Sequence, residues 1–258
     1  MTQQHKERII QDFGNKQSTY YTEGYRKQSP HNYQRRLRQE LISRELEKIT
    51  NCDDVLDVGC GPAVLYPELL ARCSRYHALD LVQTNLDKIR QEHPDANIDY
   101  ILSDVDEFRA DYGSYNIVVC SGALEYTTNP EQNLAKLIGQ TKPGGTLIAS
   151  FPNRSSIVGL FSEYVYKYLW YWKKRLAGQP AILYPRRSLT VTTLSAVCDK
   201  CAGVRSVDIR RFGFKLLPQP LDRLTAALDR AIDDYLGDKP AGLLATQCTE
   251  TLVVVRKE

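Results

Sequence analysis

Gly59 and Gly61 follow directly on the apolar run Val55-Leu-Asp-Val58, which carries Asp57. Glycine lacks the Cβ that would keep a ligand away from the backbone, and it accepts a positive φ at no steric cost. A strand that ends in such a turn is built for close approach of a bound molecule. Asp57 is placed to orient the loop or to accept hydrogen bonds from a cationic ligand group. Asp80 closes the next apolar run, Tyr76-His-Ala-Leu-Asp80. In dinucleotide-binding folds an acidic residue about 20 positions past the glycine turn takes the ribose hydroxyls. Together the two features imply a cofactor that contains a nucleoside.

The elements that must hold these residues alternate along the chain. Residues 35–49 place Leu37, Leu41, Ile42, Leu46 and Ile49 on one helical face. Strands are expected at 55–58, 75–79, 98–102, 115–120 and 146–151. Helices are expected at 63–72, 83–92 and 131–140, with Pro94 ending the second and Pro143-Gly-Gly145 forming a turn. Continuous apolar strands between helices predict a parallel, doubly wound sheet. After Pro152 the spacing predicts one long aromatic helix over 155–177, a loop over 178–190, a helix over 191–202 and a strand over 204–210. A helix over 221–236 and a last strand over 249–256 follow, close enough together to form an antiparallel hairpin at one sheet edge.

Composition removes several function classes. The 258 residues suit one α/β domain with insertions. A net charge of +3 is too small to imply nucleic-acid binding without a patch. The first residues are polar, which reads as no signal peptide, and no run approaches a membrane span. Seven scattered cysteines in such a chain read as reduced thiols and a cytoplasmic location. Cys198-Asp-Lys-Cys201 is a lone pair in an expected helix; a zinc ribbon needs a second pair, so no metal site is expected.

The turn reads Gly59-Cys-Gly61-Pro-Ala-Val64, with valine where a nicotinamide-binding turn has its third glycine. Together with the segments C-terminal to it, this turn resembles the class I S-adenosylmethionine-dependent methyltransferases. Val55-Leu-Asp-Val-Gly-Cys-Gly-Pro-Ala63 is similar to that family's first motif, with Ala63 in the last glycine slot. Asp80 matches the acidic end of the second strand, and Ser103-Asp-Val-Asp-Glu-Phe108 the acidic loop after the third. Asn116 to Tyr126 matches the fourth-strand segment, and Leu137 to Ile148 the helix, turn and fifth strand.

The resemblance implies a Rossmann-like, mostly parallel seven-stranded sheet with an antiparallel C-terminal edge strand and a helical insert after strand 5. It implies a cofactor-covering segment at 1–35, a catalytic domain at 36–258 and an acceptor-binding insert at 153–190. The cofactor would be S-adenosylmethionine, released as S-adenosylhomocysteine. Asp57, Gly59, Cys60 and Gly61 would receive its methionine part, with Cys120 and Ser121 on the other side. Asp80 would take the ribose hydroxyls, Leu81 would touch adenine, and Asp104 and Val105 would bond its ring. Tyr21 would cover the cofactor from the N-terminal segment.

Glu125 and Tyr126 lie where the resemblance places residues that face the methyl group and the acceptor. Glu125 would orient an amine or take a hydroxyl proton. Such an enzyme would transfer a methyl group to O or N of a small, hydrophobic or aromatic acceptor of natural-product or quinone-like type. A nicotinamide-dependent oxidoreductase and a non-catalytic cofactor-binding protein are the alternatives. Ile157, Phe161, Tyr164, Val165, Tyr168 and Trp172 share one face of the aromatic helix, with Lys173, Lys174 and Arg175 at its end. That face suits an acceptor lid, a peripheral membrane contact, or packing within a monomer or homodimer.

Overall fold

The computed structural model describes residues 33–50, 52–94, 96–179, 181, 183, 186–218, 221–237 and 242–258. Tyr21 and most of the expected covering segment lie outside them.

Helix α1 (Tyr33–Leu46) leads into five strands and the three helices between them: β1 (Cys52–Val58), α2 (Tyr66–Leu70), β2 (Cys73–Asp80), α3 (Gln83–Glu92), β3 (Ile98–Leu102), β4 (Tyr115–Ser121), α4 (Pro130–Gln140) and β5 (Thr141–Pro152). Beyond β5 come α5 (Ile157–Phe161), a π-helical turn at Ser162–Tyr166, α6 (Lys167–Leu176), α7 (Val191–Asp199), β6 (Val204–Phe214), α8 (Asp222–Leu236) and β7 (Cys248–Lys257). The strands form one sheet in the order β3-β2-β1-β4-β5-β7-β6. The first five run parallel, and β7 runs antiparallel to both of its neighbours.

The C-terminal strand is antiparallel as expected, and β6 rather than β7 takes the outer edge. The side chains explain this. Leu252-Val-Val-Val255 is buried throughout, which requires covered faces on both sides. The start of β6 is exposed and polar at Arg205 and Ser206, as an edge strand tolerates. One face of the sheet packs Leu41, Leu46, Leu69, Leu86 and Ile89 from α1 to α3. The other packs Leu134, Leu137, Ile138 and Leu194 from α4 and α7. Successive strand residues alternate between the two layers: Val55 goes to the first and Leu56 to the second.

Two elements depart from the expected boundaries for local reasons. Helix α2 spans Tyr66–Leu70 only, because Ala63 has φ +48° and cannot belong to a right-handed helix; Pro67 then fixes the first turn. The expected turn at 143–145 is a bulge within β5. Register jumps from Tyr115–Thr141 to Ile117–Thr146, and Gly144 sits at φ +74°.

Two buried polar clusters tie the layers together. Glu45 on α1 is 1% exposed; its carboxylate accepts from Arg210 of β6 at 2.5 Å, from Arg256 of β7 at 2.6 Å and from Lys48 at 2.5 Å. One acid thereby pins α1 to the outer two strands. Asp57 is turned into the layer of α1–α3 and accepts from the fully buried Tyr76 hydroxyl at 2.6 Å. Burial pushes its carboxyl from the ordinary 3.8 to about 7, against the Tyr76 hydrogen bond and with a smaller push from Asp80.

Glu45→Ala leaves Arg210 with Asp208 alone and removes the carboxylate that holds Arg256, and should lower unfolding stability by ~2 kcal/mol, measured by denaturant titration. A loss under ~0.5 kcal/mol contradicts the pinning role. For Asp57 the sign follows from linkage. Between pH ~4 and ~7 the unfolded chain has released a proton that the native state keeps, so stability falls as pH rises through this window and is level above it. Asp57→Asn keeps an acceptor for Tyr76 and removes the titration. The wild type should lose more stability between pH 5 and pH 8 than the variant does; equal losses would show that Asp57 ionises normally.

Candidate active site

The glycine turn sits at the C-terminal ends of β1 and β4, held from three directions. Gly59 has φ +66°, and a Cβ there would collide with the Ala123 methyl just past β4. The amides of Gly59 and Cys60 both donate to the Leu79 carbonyl, at 2.7 and 3.1 Å. Gly61, at φ +52°, donates its amide to Asp80 Oδ2 at 2.7 Å. Ala63 is left-handed too, the only described residue other than glycine with a positive φ. Alanine in this conformation costs roughly 1 kcal/mol, so the last glycine slot keeps its backbone shape without its glycine.

Asp80 is buried at the end of β2. Its Oδ1 accepts from the Val82 amide at 2.8 Å and from Asn85 Nδ2 at 3.3 Å. Burial raises its pKa, and the hydrogen bonds from Val82, Gly61 and Asn85 oppose that rise. The carboxylate therefore both clamps the loop and keeps lone pairs for further donors. Leu81 beside it is half-buried.

The acidic loop is as tightly held. Asp104 is buried; its Oδ1 accepts from the Asp106 amide at 2.9 Å, and its carbonyl accepts from Glu107 and Phe108. Val105 is buried, and its carbonyl accepts from Lys136 Nζ of α4. Asp106 accepts from the Thr128 amide at 2.9 Å and from Asn133 Nδ2 at 2.6 Å, so it anchors the loop to the start of α4. Cys120 is fully buried, which pushes its thiol up to about 12 and leaves it inert; Ser121 is half-buried.

Glu125 lies in a 3₁₀ turn at Leu124–Tyr126 and is 2% exposed. Its Oε1 accepts from Arg186 Nε at 3.1 Å and from Nη2 at 2.6 Å, and its carbonyl accepts from the Arg187 amide at 2.7 Å. The Arg186 guanidinium stands 5.9 Å from the Tyr126 ring centroid. Glu250, at the start of β7, pairs with Arg38 Nη2 at 3.0 Å. Arg38 in turn lies against Gly122, where a Cβ would meet its Nη1. Burial raises the Glu250 pKa, opposed by Arg38 and Arg186 and assisted by Glu125. Four charges thus link the end of β4 to a cavity of about 530 Å³. Tyr126, Leu160, Tyr166, Trp170, Arg186 and Glu250 are among the residues that line it.

Sequence reasoning missed Arg38, Arg186 and Glu250. Glu250 had a visible signal, as the one acid in the C-terminal strand, ahead of its apolar run; Arg38 is indistinguishable from its neighbours on an arginine-rich helix. The face expected for the aromatic helix is turned outward: Ile157, Phe161, Tyr164, Val165, Tyr168 and Trp172 are all exposed, and of residues 157–176 only Val158 is buried. A π turn interrupts the helix at Ser162–Tyr166, and Leu160, Tyr164, Tyr166 and Trp170 border the cavity.

Residues 56–149 match the family model described as a methyltransferase domain. The chain is 34% identical over 122 residues to a ubiquinone biosynthesis O-methyltransferase of Saccharophagus degradans, covering 45% of this chain and 52% of that protein. It spans about half the length of the curated relatives it matches. Among solved structures, an S-adenosylmethionine-dependent methyltransferase from Mesorhizobium loti superposes with a TM-score of 0.58 at 16% identity, covering 85% of this chain and 98% of that one. The [4+2]-cyclase SpnF superposes at 0.52 with 14% identity, covering 86% and 80%; at such identities the likeness is one of fold. The matched domain, the strand order and the clamped glycine turn together show that residues 56–149 carry a methyltransferase domain and that the sheet has the fold of S-adenosylmethionine-dependent methyltransferases.

Proposed function

We propose that the protein transfers a methyl group from S-adenosylmethionine to O or N of a small, hydrophobic or aromatic acceptor. The observation that carries this is the junction of two sites. The glycine turn clamped by Asp80 meets, through Arg38 and Gly122, a cavity lined by tyrosine, tryptophan and two paired charges. The curated relatives are ubiquinone biosynthesis O-methyltransferases, which supports a ring-bearing acceptor.

The residues present fit the cofactor. Gly59 has no room for a side chain, Asp80 is a buried carboxylate whose raised pKa a donating diol would relieve, and Arg38 brings a cation to Gly122. Asp80 holds the ribose, Asp104 and Val105 the adenine, with Leu81 against its face. Gly59 to Gly61, Cys120 and Ser121 border the methionine part, and Arg38 offers a partner for its carboxylate. The cofactor supplies an already electrophilic methyl group, so this chain need only align the acceptor, exclude water and take a proton. Glu125 acts through Arg186, fixing the guanidinium that faces the acceptor; Tyr126 stacks beside it. Glu250, buried at the cavity wall with its pKa raised by burial against the pull of Arg38 and Arg186, is placed to accept a proton.

Calorimetric titration with S-adenosylhomocysteine should give a measurable Kd, and Asp80→Ala should weaken it more than tenfold, ~1.4 kcal/mol. No heat at millimolar ligand sinks the cofactor reading; an unchanged affinity takes Asp80 out of the site. A metabolite extract supplied with methyl-labelled cofactor should yield a labelled product of one-methyl mass gain. Glu125→Ala should cut that turnover at least tenfold while S-adenosylhomocysteine affinity stays within about twofold, because the lost pairing is on the acceptor side. A parallel loss of both would place Glu125 in cofactor binding instead.

A further inference from the structure

Helix α8 is amphipathic in the wrong sense for a free surface. Asp222, Asp229 and Asp233 point inward and are buried. Each is bonded there: Asp222 to Lys215 at 2.6 Å, Asp229 to the Leu216 amide at 3.1 Å, Asp233 to the Phe214 amide at 2.9 Å and to the Tyr33 hydroxyl at 3.1 Å. The leucines point outward. Leu224 is 79% exposed, Leu228 54% and Tyr235 89%, with Leu221 in line with them and Leu216 exposed just before the helix. Steps of three, four and seven residues place Leu221, Leu224, Leu228 and Tyr235 on one stripe.

The α5–α6 helix also turns apolar residues outward. Leu160, Tyr166 and Trp170 border the cavity, while Phe161, Val165, Tyr168, Leu169, Trp172 and Leu176 form an exposed stripe. Lys215, which lines the cavity, donates to Asp222, so α8 is tied to the cavity wall without lining it. Exposed apolar patches of this extent mark a contact surface.

We propose that this face docks on an anionic phospholipid surface, with both apolar stripes at the headgroup level. Charge complementarity selects a lipid occupant. The last turn of α6 carries Lys173, Lys174 and Arg175, and Lys174 stands 5.7 Å from the Trp170 ring. On α8 Asp222, Asp229 and Asp233 are turned inward, and the exposed Arg230 pairs with the exposed Asp234, so α8 contributes apolar side chains and α6 the cations. Tryptophan and tyrosine beside lysine and arginine suit the interfacial zone, where an aromatic ring sits at the boundary and a cation meets lipid phosphate. No described helix is long and apolar enough to cross a membrane, so the helices lie along the surface. The cavity beside α6 then opens toward the lipid. This docking stands on the exposed side chains and not on methyl transfer.

The chain supplies its own reporter, because its two tryptophans, Trp170 and Trp172, both sit on α6. Full-length protein should co-float with vesicles containing phosphatidylglycerol, its tryptophan emission shifting to the blue. Vesicles of phosphatidylcholine alone should bind at least tenfold less, and high salt should weaken binding to the anionic ones. Leu224→Ser with Leu228→Ser, and separately Lys173→Glu with Lys174→Glu, should each reduce partitioning at least tenfold. Leu224, Leu228 and Lys173 are exposed and Lys174 is half-buried at the helix end, so circular dichroism and S-adenosylhomocysteine affinity should match the wild type. Unchanged tryptophan emission with phosphatidylglycerol vesicles overturns the proposal. So does binding that the leucine variant retains in full, or a concentration-dependent dimer that hides the stripes and floats with no vesicle. Loss of ligand affinity with vesicle binding intact would count against the cofactor assignment alone.

Discussion

The rest of the site depends on how closely β1 and β4 approach at their C-terminal ends. Gly59 passes Ala123 with no space for a side chain, and the loop beyond it must then turn through left-handed backbone at Gly61 and Ala63. Such a loop has little intrinsic preference for one shape, because glycine is free in the unfolded chain. Its shape comes from elsewhere: the Leu79 carbonyl takes two of its amides and Asp80 a third. Both acceptors belong to β2, so the parallel pairing of β1 with β2 carries the register straight into the ligand-facing turn. Asp80 serves structure and recognition with one carboxylate, which is why its burial is tolerated.

The acceptor side is organised by charge rather than by backbone. Arg38, Glu250, Arg186 and Glu125 are paired two by two, and each pair joins segments far apart in sequence: α1 with β7, and the turn after β4 with the segment after α6. Breaking either pair would leave a charge desolvated, a heavier penalty than the pair's own net contribution. The arrangement therefore fixes geometry more than it adds stability. It sets a guanidinium against the Tyr126 ring and a carboxylate whose proton affinity burial has raised, both bordering one cavity.

The alternation of apolar strands with helices made the sheet legible, because strands buried on both faces leave unbroken apolar runs. The glycine turn, Asp80 and the Asp104 loop were legible for a similar reason: their neighbours in sequence are their neighbours in space. Arg38, Arg186 and Glu250 were not, since ion pairs that span the chain leave no local periodicity. Glu125 was found by position, but its partner was not, and the partner changes its part from a free carboxylate to a holder of Arg186. The aromatic insert was legible as a helix with one apolar face, but periodicity alone does not say whether such a face is covered, and here it is exposed. The π turn within it was not legible, because it adds a residue to one turn of an otherwise uniform period. The Asp106 carboxylate, one of three acids in that loop, is what binds it to the start of α4.

The same fold is shared with a cyclase at 14% identity, so the sheet does not choose the reaction. What differs between proteins on this scaffold is the material placed over the strand ends after β4 and β5. Here that material has an unusual division of labour. The polar groups of α8 are turned inward, three aspartates holding backbone amides, Lys215 and the Tyr33 hydroxyl, while its leucines are left outside. A helix in water normally does the reverse, because burying leucine is favourable and burying a carboxylate is costly. The inversion is stable only because every inward aspartate is bonded, and Asp233, raised to about 6 by burial, shows that the cost is real. A sequence holds such an arrangement against that cost when the exposed apolar side is itself used, and one of the inward aspartates, Asp222, holds Lys215 of the cavity that Arg186 and Glu250 line. The chemistry of the site and the character of the surrounding surface are then two consequences of one choice, made in the helices that follow β5.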